Sequence, residues 1–235
     1  MAKFSVCSFL LLLATFLTDV YAENIEGGLP TTIEAHPYLV SLQTNDGSRI
    51  CGGALINENT VVTAASCLNF YDVSQLVVGI NNGAKIVNIA ASRFDPSFDF
   101  TTNENDVGVL RLAEPVNDAV IALATSEPAN GANAIVTGWA SGDKLVDVPV
   151  SILSAEKCSS GEYKYGEGEI LDSMLCALAE NSQACGGLAG NPVVSNNQLV
   201  GVASWGYGCG NKGNPAVLTD LAALRSWVSQ TAGNL

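Results

Sequence analysis

Short apolar runs, alternating or continuous, recur along most of the chain and are bounded by Gly, Asn, Asp and Pro. Tyr38 to Gln43, Thr60 to Thr63, Leu76 to Ile80, Lys85 to Ala90, Val107 to Leu112, Ala134 to Thr137 and Leu199 to Ser204 have the length and composition of strands. Their spacing predicts an antiparallel sandwich or barrel. The tail changes period. Leu221, Leu224, Trp227 and Val228 fall on one helical face after Thr219-Asp220, a pair able to cap a helix start. The pattern therefore predicts an all-β domain ending in one helix. The opening segment belongs to neither scheme. Lys3, the apolar stretch Phe9 to Phe16 and the small-x-small ending Val20-Tyr21-Ala22 read as a secretory leader over residues 1–22. The stretch is too short to span a bilayer, so we expect a secreted protein without a membrane anchor.

Composition narrows this picture. Cys7 would leave with the leader, and Cys51, Cys67, Cys158, Cys176, Cys185 and Cys209 remain. An even set in a secreted chain predicts disulfides, although spacing alone does not choose among the pairings. There is no CxxC pair, and the single histidine, His36, lies far from any cysteine cluster. No metal or other cofactor is expected. The net charge is −13, from 23 acidic against 10 basic residues. That balance argues against nucleic acid and anionic membranes as partners.

Several segments together resemble the trypsin-like serine proteases of the chymotrypsin fold. Ile25 to Gly28 (IEGG) looks like the mature start of that family, IVGG. PYLVSLQ at 37–43 and CGGALIN at 51–57 resemble its first strands. TAASC at 63–67 stands where the family has TAAHC, and NDVGVLRL at 105–112 resembles NDIALLRL. TGWA at 137–140, MLCA at 174–177, CGGLAGNP at 185–192 and SWGYGC at 204–209 complete the series in family order. The resemblance covers the chain from Ile25 to Leu235, leaving 23–24 as a short pro-segment. It implies two six-stranded antiparallel β-barrels with a C-terminal helix and a site in the cleft between the barrels. It also implies the pairings Cys51–Cys67, Cys158–Cys176 and Cys185–Cys209.

The family mechanism needs a serine nucleophile, a histidine base and an aspartate that orients the histidine. By resemblance, Ser66 holds the histidine's place, Asp106 the aspartate's and Ala189 the serine's. Serine has no group that titrates near neutrality, and alanine has no hydroxyl, so neither can fill its role. The residue before the nucleophile, which in the family pairs with the freed N-terminal amine, is Leu188. An amine inserted against leucine would be a buried unpaired charge. IEGG is thus expected to keep its sequence without its switch, and Asn24 before it offers no tryptic cut. The specificity pocket is altered too. Gln183 is neutral where a charge would attract Lys or Arg, and Ala216 stands where the pattern has glycine and should narrow the slot. Ser204 and Gly206, beside Trp205, are retained.

These departures imply a pseudoprotease, not an enzyme. The mixture of His-to-Ser and Ser-to-Ala losses is similar to that of the scabies mite inactivated protease paralogues, relatives of the mite group 3 allergens. That resemblance implies a secreted monomer that binds extracellular host proteins, complement components among them, and inhibits complement. The alternative is a cofactor or decoy in another extracellular protease cascade. The acidic loops Asp95 to Glu104 and Glu162 to Glu169 are the candidate binding surfaces.

Overall fold

A computed structural model describes Ile25 and residues 27–141, 143–179, 189–207 and 213–235. The leader, Leu188, Gln183, Cys185 and Cys209 lie outside these residues. The strands are β1 (Leu29–Pro30), β2 (Leu39–Thr44), β3 (Arg49–Asn57), β4 (Thr60–Thr63), β5 (Leu76–Ile80), β6 (Lys85–Phe94) and β7 (Gly108–Leu112) in the first half. The second half has β8 (Ala122–Leu123), β9 (Asn133–Ala140), β10 (Lys144–Leu153), β11 (Met174–Ala179), β12 (Pro192–Ser195), β13 (Gln198–Trp205) and β14 (Ala216–Asp220). The first barrel closes in the order β2-β3-β4-β7-β6-β5. The second closes through β9-β10-β11-β14-β13-β12 and back to β9, with β1 added beside β10 and β8 beside β13.

Alternation explains closure. Along β6 the residues run exposed and buried in turn, with Val87 and Ile89 facing the core. Strand β2, by contrast, is buried almost throughout because its outer face meets the rest of the molecule. Each barrel fills with its own apolar side chains, Val40, Leu55, Val62, Val78 and Leu110 in the first and Val136, Val148, Ile152, Leu175 and Val193 in the second. Burying one such side chain is worth ~1.5–3 kcal/mol, so each cluster helps sustain its barrel, and Leu199, Val202 and Val228 of the second half extend the first cluster. Disulfides Cys51–Cys67 and Cys158–Cys176 are formed, as the resemblance implies.

The tail differs from the expected boundary. Thr219 and Asp220 end β14 rather than cap a helix, and the last helix, α2, runs Arg225–Asn234. Asp220 does cap locally, accepting from the amides of Ala222 and Ala223 at 2.7 and 3.2 Å. That turn redirects the chain before α2 can start, while Val228 and Thr231 anchor the helix. A second, shorter helix, α1 (Ala155–Cys158), is not signalled by the apolar periodicity; Ser154 caps it by accepting from the Lys157 amide. Among the described residues no helix is long and apolar enough to cross a membrane.

The barrels meet through specific side chains. The Arg49 guanidinium of β3 lies 4.2 Å from the ring centre of Trp139 in β9, and the Trp139 indole donates to Asn82 Oδ1 at 2.8 Å. Deeper in, Asn191 is wholly buried between Gly52 of β3 and Gly138 of β9. A methyl on Gly52 would lie 2.1 Å from Asn191 Oδ1, and one on Gly138 2.2 Å from Nδ2. Both glycines are therefore required by this one carboxamide, which has no hydrogen-bond partner among the described residues.

Candidate functional site

Ser66 sits on a single 3-10 turn, Ala65–Cys67, between the end of β4 and the Cys51–Cys67 bridge. Asp106 lies just before β7, which pairs with β4, so strand register alone brings the two together. The Asp106 carboxylate is 1% exposed and fully engaged. It accepts from the Ser66 amide at 2.7 Å, the Ser66 hydroxyl at 3.1 Å and the Ser204 hydroxyl at 2.5 Å. Its backbone carbonyl accepts from Thr219 Oγ1 at 2.7 Å. Burial pushes the carboxyl above the usual Asp range, and the hydrogen bonds from Ser204 and Ser66 offset only part of that.

Ala189 reaches the same junction through its backbone. Its carbonyl accepts from Gly52 N at 2.9 Å, and the adjacent Gly190 N donates to Ala203 O at 2.8 Å, one residue before Ser204. Ser66, Asp106 and Ala189 are thus gathered at one place by three different strands and a disulfide. The chemistry of that place is limited. Among the described residues the carboxylate, held by three donors, has no titratable hydrogen-bond partner to orient, and the side chain at Ala189 is a methyl group.

His36 is elsewhere. Its Nε2 lies 2.9 Å from both Asp147 oxygens and its Nδ1 3.2 Å from the Tyr38 hydroxyl. Thr137 Oγ1 donates to Asp147 at 2.8 Å. This network ties the segment before β2 to β9 and β10. Burial pushes the Asp147 carboxyl up, but hydrogen bonds from His36 and Thr137 and the attraction of His36 outweigh it, so the net shift is downward.

The remaining predicted positions divide. Ser204 is expected in the pocket wall, but its hydroxyl is spent on Asp106. Ala216 is exposed at the start of β14. A methyl added at Gly206 would stand at ordinary van der Waals distance, 3.6 Å, from the Ala216 Cα, so the glycine leaves room for about one methyl group between the two walls. Gln183, Leu188 and the Cys185–Cys209 pairing fall outside the described residues. Ile25 is seated in the second barrel, 2% exposed, with its N donating to Trp139 O at 2.8 Å. Its side chain reaches the same spot as Asn191, beside Gly138, and this apolar burial needs no acidic partner.

Of the acidic loops, Asp95 is a correction. It is 6% exposed and accepts from the Ser97 amide, so it closes a turn rather than charging the surface. In the other loop, Glu162 pairs with Lys157, and Glu169 accepts from both Tyr207 Oη and the Gly166 amide. Tyr165, Trp205 and Tyr207 form an aromatic group there, with Tyr165 donating to Pro215 O and raised to about 12 by burial. Sequence reasoning passes over Asn191 and the phenylalanines of the 94–100 loop. The polar residue near the end of CGGLAGNP is a visible signal for Asn191.

Comparison with known proteins agrees with this geometry. The trypsin family model matches residues 25–228. A trypsin of Sarcophaga bullata is 42% identical over 232 residues, covering 90% of each chain. Trypsin theta of Drosophila erecta is 43% identical over 230 residues, covering 90% of this chain and 87% of its own. Trypsin theta of Drosophila melanogaster has the same identity and coverage. Both the match along the chain and the paired closed barrels say that this chain belongs to the trypsin family.

Proposed function

We propose that this protein is a secreted, non-catalytic member of the trypsin family that acts by binding another extracellular protein. The observation that carries the reading is the state of Asp106. Its carboxylate is occupied by Ser66 and Ser204, and Ala189 lies at the same junction with no hydroxyl. Loss of such residues in a triad costs roughly a millionfold in turnover. What persists is a rigid pair of barrels whose loops remain available for recognition.

The direct test is chemical. A fluorophosphonate probe should leave the folded protein unlabelled, and peptide substrates should survive it; labelling in the cleft or turnover retained through purification would defeat the reading. Ser66→His with Ala189→Ser should still fall well short of trypsin rates, because Gln183 and Leu188 remain. Complement components are the first partners to try, on the strength of the mite resemblance; the relatives named above are fly trypsins and lend it no weight. Lysis of sensitised red cells in human serum should fall as the protein is added. Unchanged lysis at micromolar concentration would remove complement and turn the search to a cofactor or decoy role in another cascade.

A further inference from the structure

A row of phenylalanines runs over the first barrel beside the Ser66–Asp106 junction. Phe94 ends β6, Phe98 and Phe100 follow on its loop, and Phe70 comes just after the Cys67 bridge. Successive ring centres are 6.1, 6.4 and 5.1 Å apart, each pair edge to face. Phe70 is 65% exposed and Phe100 52%. Gly108 helps to bring the two loops together, because Leu68 packs where a methyl on Gly108 would stand, at 2.6 Å. Single exposed rings are ordinary, but a contiguous row marks a contact surface. Edge-to-face packing also leaves ring faces open to a third group.

The rim of the row is acidic. Asp99 lies between Phe98 and Phe100, and its amide donates to Glu104 O, which sets Glu104 beside it. Asp72 follows Phe70 by two residues. Among the described residues none of these three carboxylates forms an ion pair, unlike Glu162 of the other acidic loop. Arg93 adjoins Phe94 at the end of β6 and is exposed like it, one basic residue against three acidic ones.

We propose that this row is a docking surface for a cationic segment of a partner protein, with arginine or lysine side chains over the phenylalanine faces and paired with Asp72, Asp99 and Glu104. Charge selects this occupant. A second copy would bring two acidic rims together, and an anionic membrane would be repelled by a chain of net charge −13. Guanidinium groups stack on aromatic faces and are weakly hydrated, so arginine gains from both parts of the surface. The proposal rests on the non-catalytic binding role and names the chemistry of its partner.

The experiment is fluorescence anisotropy with a short labelled peptide alternating arginine and leucine, and with the same peptide carrying glutamate for arginine. The full secreted chain should bind the first and not the second. Phe70→Ser with Phe100→Ser should weaken binding about tenfold. Their exposure predicts an unchanged unfolding midpoint, which confirms that the variant is folded. Asp99→Asn with Glu104→Gln should weaken binding about threefold and flatten its salt dependence. Glu58→Gln with Glu156→Gln, an equal charge change away from the row, should do nothing. Equal binding by the phenylalanine variant, or an equal effect of the two charge pairs, would overturn the docking surface. So would a dimer in sedimentation that the phenylalanine changes dissolve. Mass spectrometry of the probe separates the two readings. A cleaved peptide refutes the non-catalytic role, whereas an intact peptide that ignores the phenylalanines refutes only the surface.

Discussion

Asp106 is engaged by a backbone amide and two hydroxyls rather than by a histidine. In the family mechanism its charge steadies a histidine; here it satisfies the Ser66 amide and two hydroxyls inside the protein. The arrangement has a sign. Because burial raises the folded carboxyl above the unfolded value of ~3.9, the stability tied to its protonated form is full below that value. It is lost as pH rises through the folded value. Asn at this position keeps one acceptor for the Ser66 amide and can donate to a rotated hydroxyl. We expect Asp106→Asn to gain stability relative to the wild type as pH goes from about 4 to 8. Urea midpoints at several pH values check this, and a gap that stays constant or closes would contradict it.

Among the elements, the segment from β1 to β2 depends on a polar clamp rather than on area. Strand β1 is only Leu29–Pro30, both exposed, and pairs with β10 over Leu29–Asp147 and Pro30–Val146. Asp147, on β10, binds His36 of the β1–β2 segment and Thr137 of β9, so it ties that segment to the second barrel. Its folded carboxyl is depressed, so its contribution is present above the unfolded value of ~3.9 and is lost as pH falls through the lower folded value. Asp147→Asn should cost about 1–3 kcal/mol at neutral pH, and the variant should lose less on acidification than the wild type. Hydrogen exchange at Leu39, whose amide bonds His36 O at 2.9 Å, should rise in the variant first. Uniform exchange across both barrels would show that the clamp is not local.

For the whole molecule, the join between barrels is the informative feature. Asn191 stands between Gly52 and Gly138, with Ile25 also against Gly138. Space there is already exhausted, so Gly138→Ala should destabilise by about 1–3 kcal/mol. In an Asn191→Gly background the same change should cost much less, since two of the three nearest atoms to the new methyl belong to Asn191. The coupling should reach about 0.5–3 kcal/mol. Additive costs in denaturant unfolding would mean that the carboxamide is not the wedge.

Much of the fold is legible in the residue pattern. Strands Thr60–Thr63 and Leu76–Ile80 occur with the boundaries read from periodicity, because side-chain alternation is a local property that burial on one face enforces. The meeting of Ser66 with Asp106 and two disulfides follow from motif order. Other features depend on distant segments meeting. The start of α2 depends on a turn capped by Asp220, and a Thr-Asp pair looks the same at a strand end as at a helix start. Asp95 looks like a surface acid until its turn folds back toward β7. The phenylalanine row joins residue 70 to residues 94–100, and Asn191 is a wedge only because Gly52 and Gly138 arrive from different barrels. Sequence alone determined the strands and the residue types at 66, 106 and 189, since both reside in local pattern and residue identity. Tertiary structure alone decided which charges are spent, which rings are shared and where the barrels lock, because each is a contact between residues far apart in the chain.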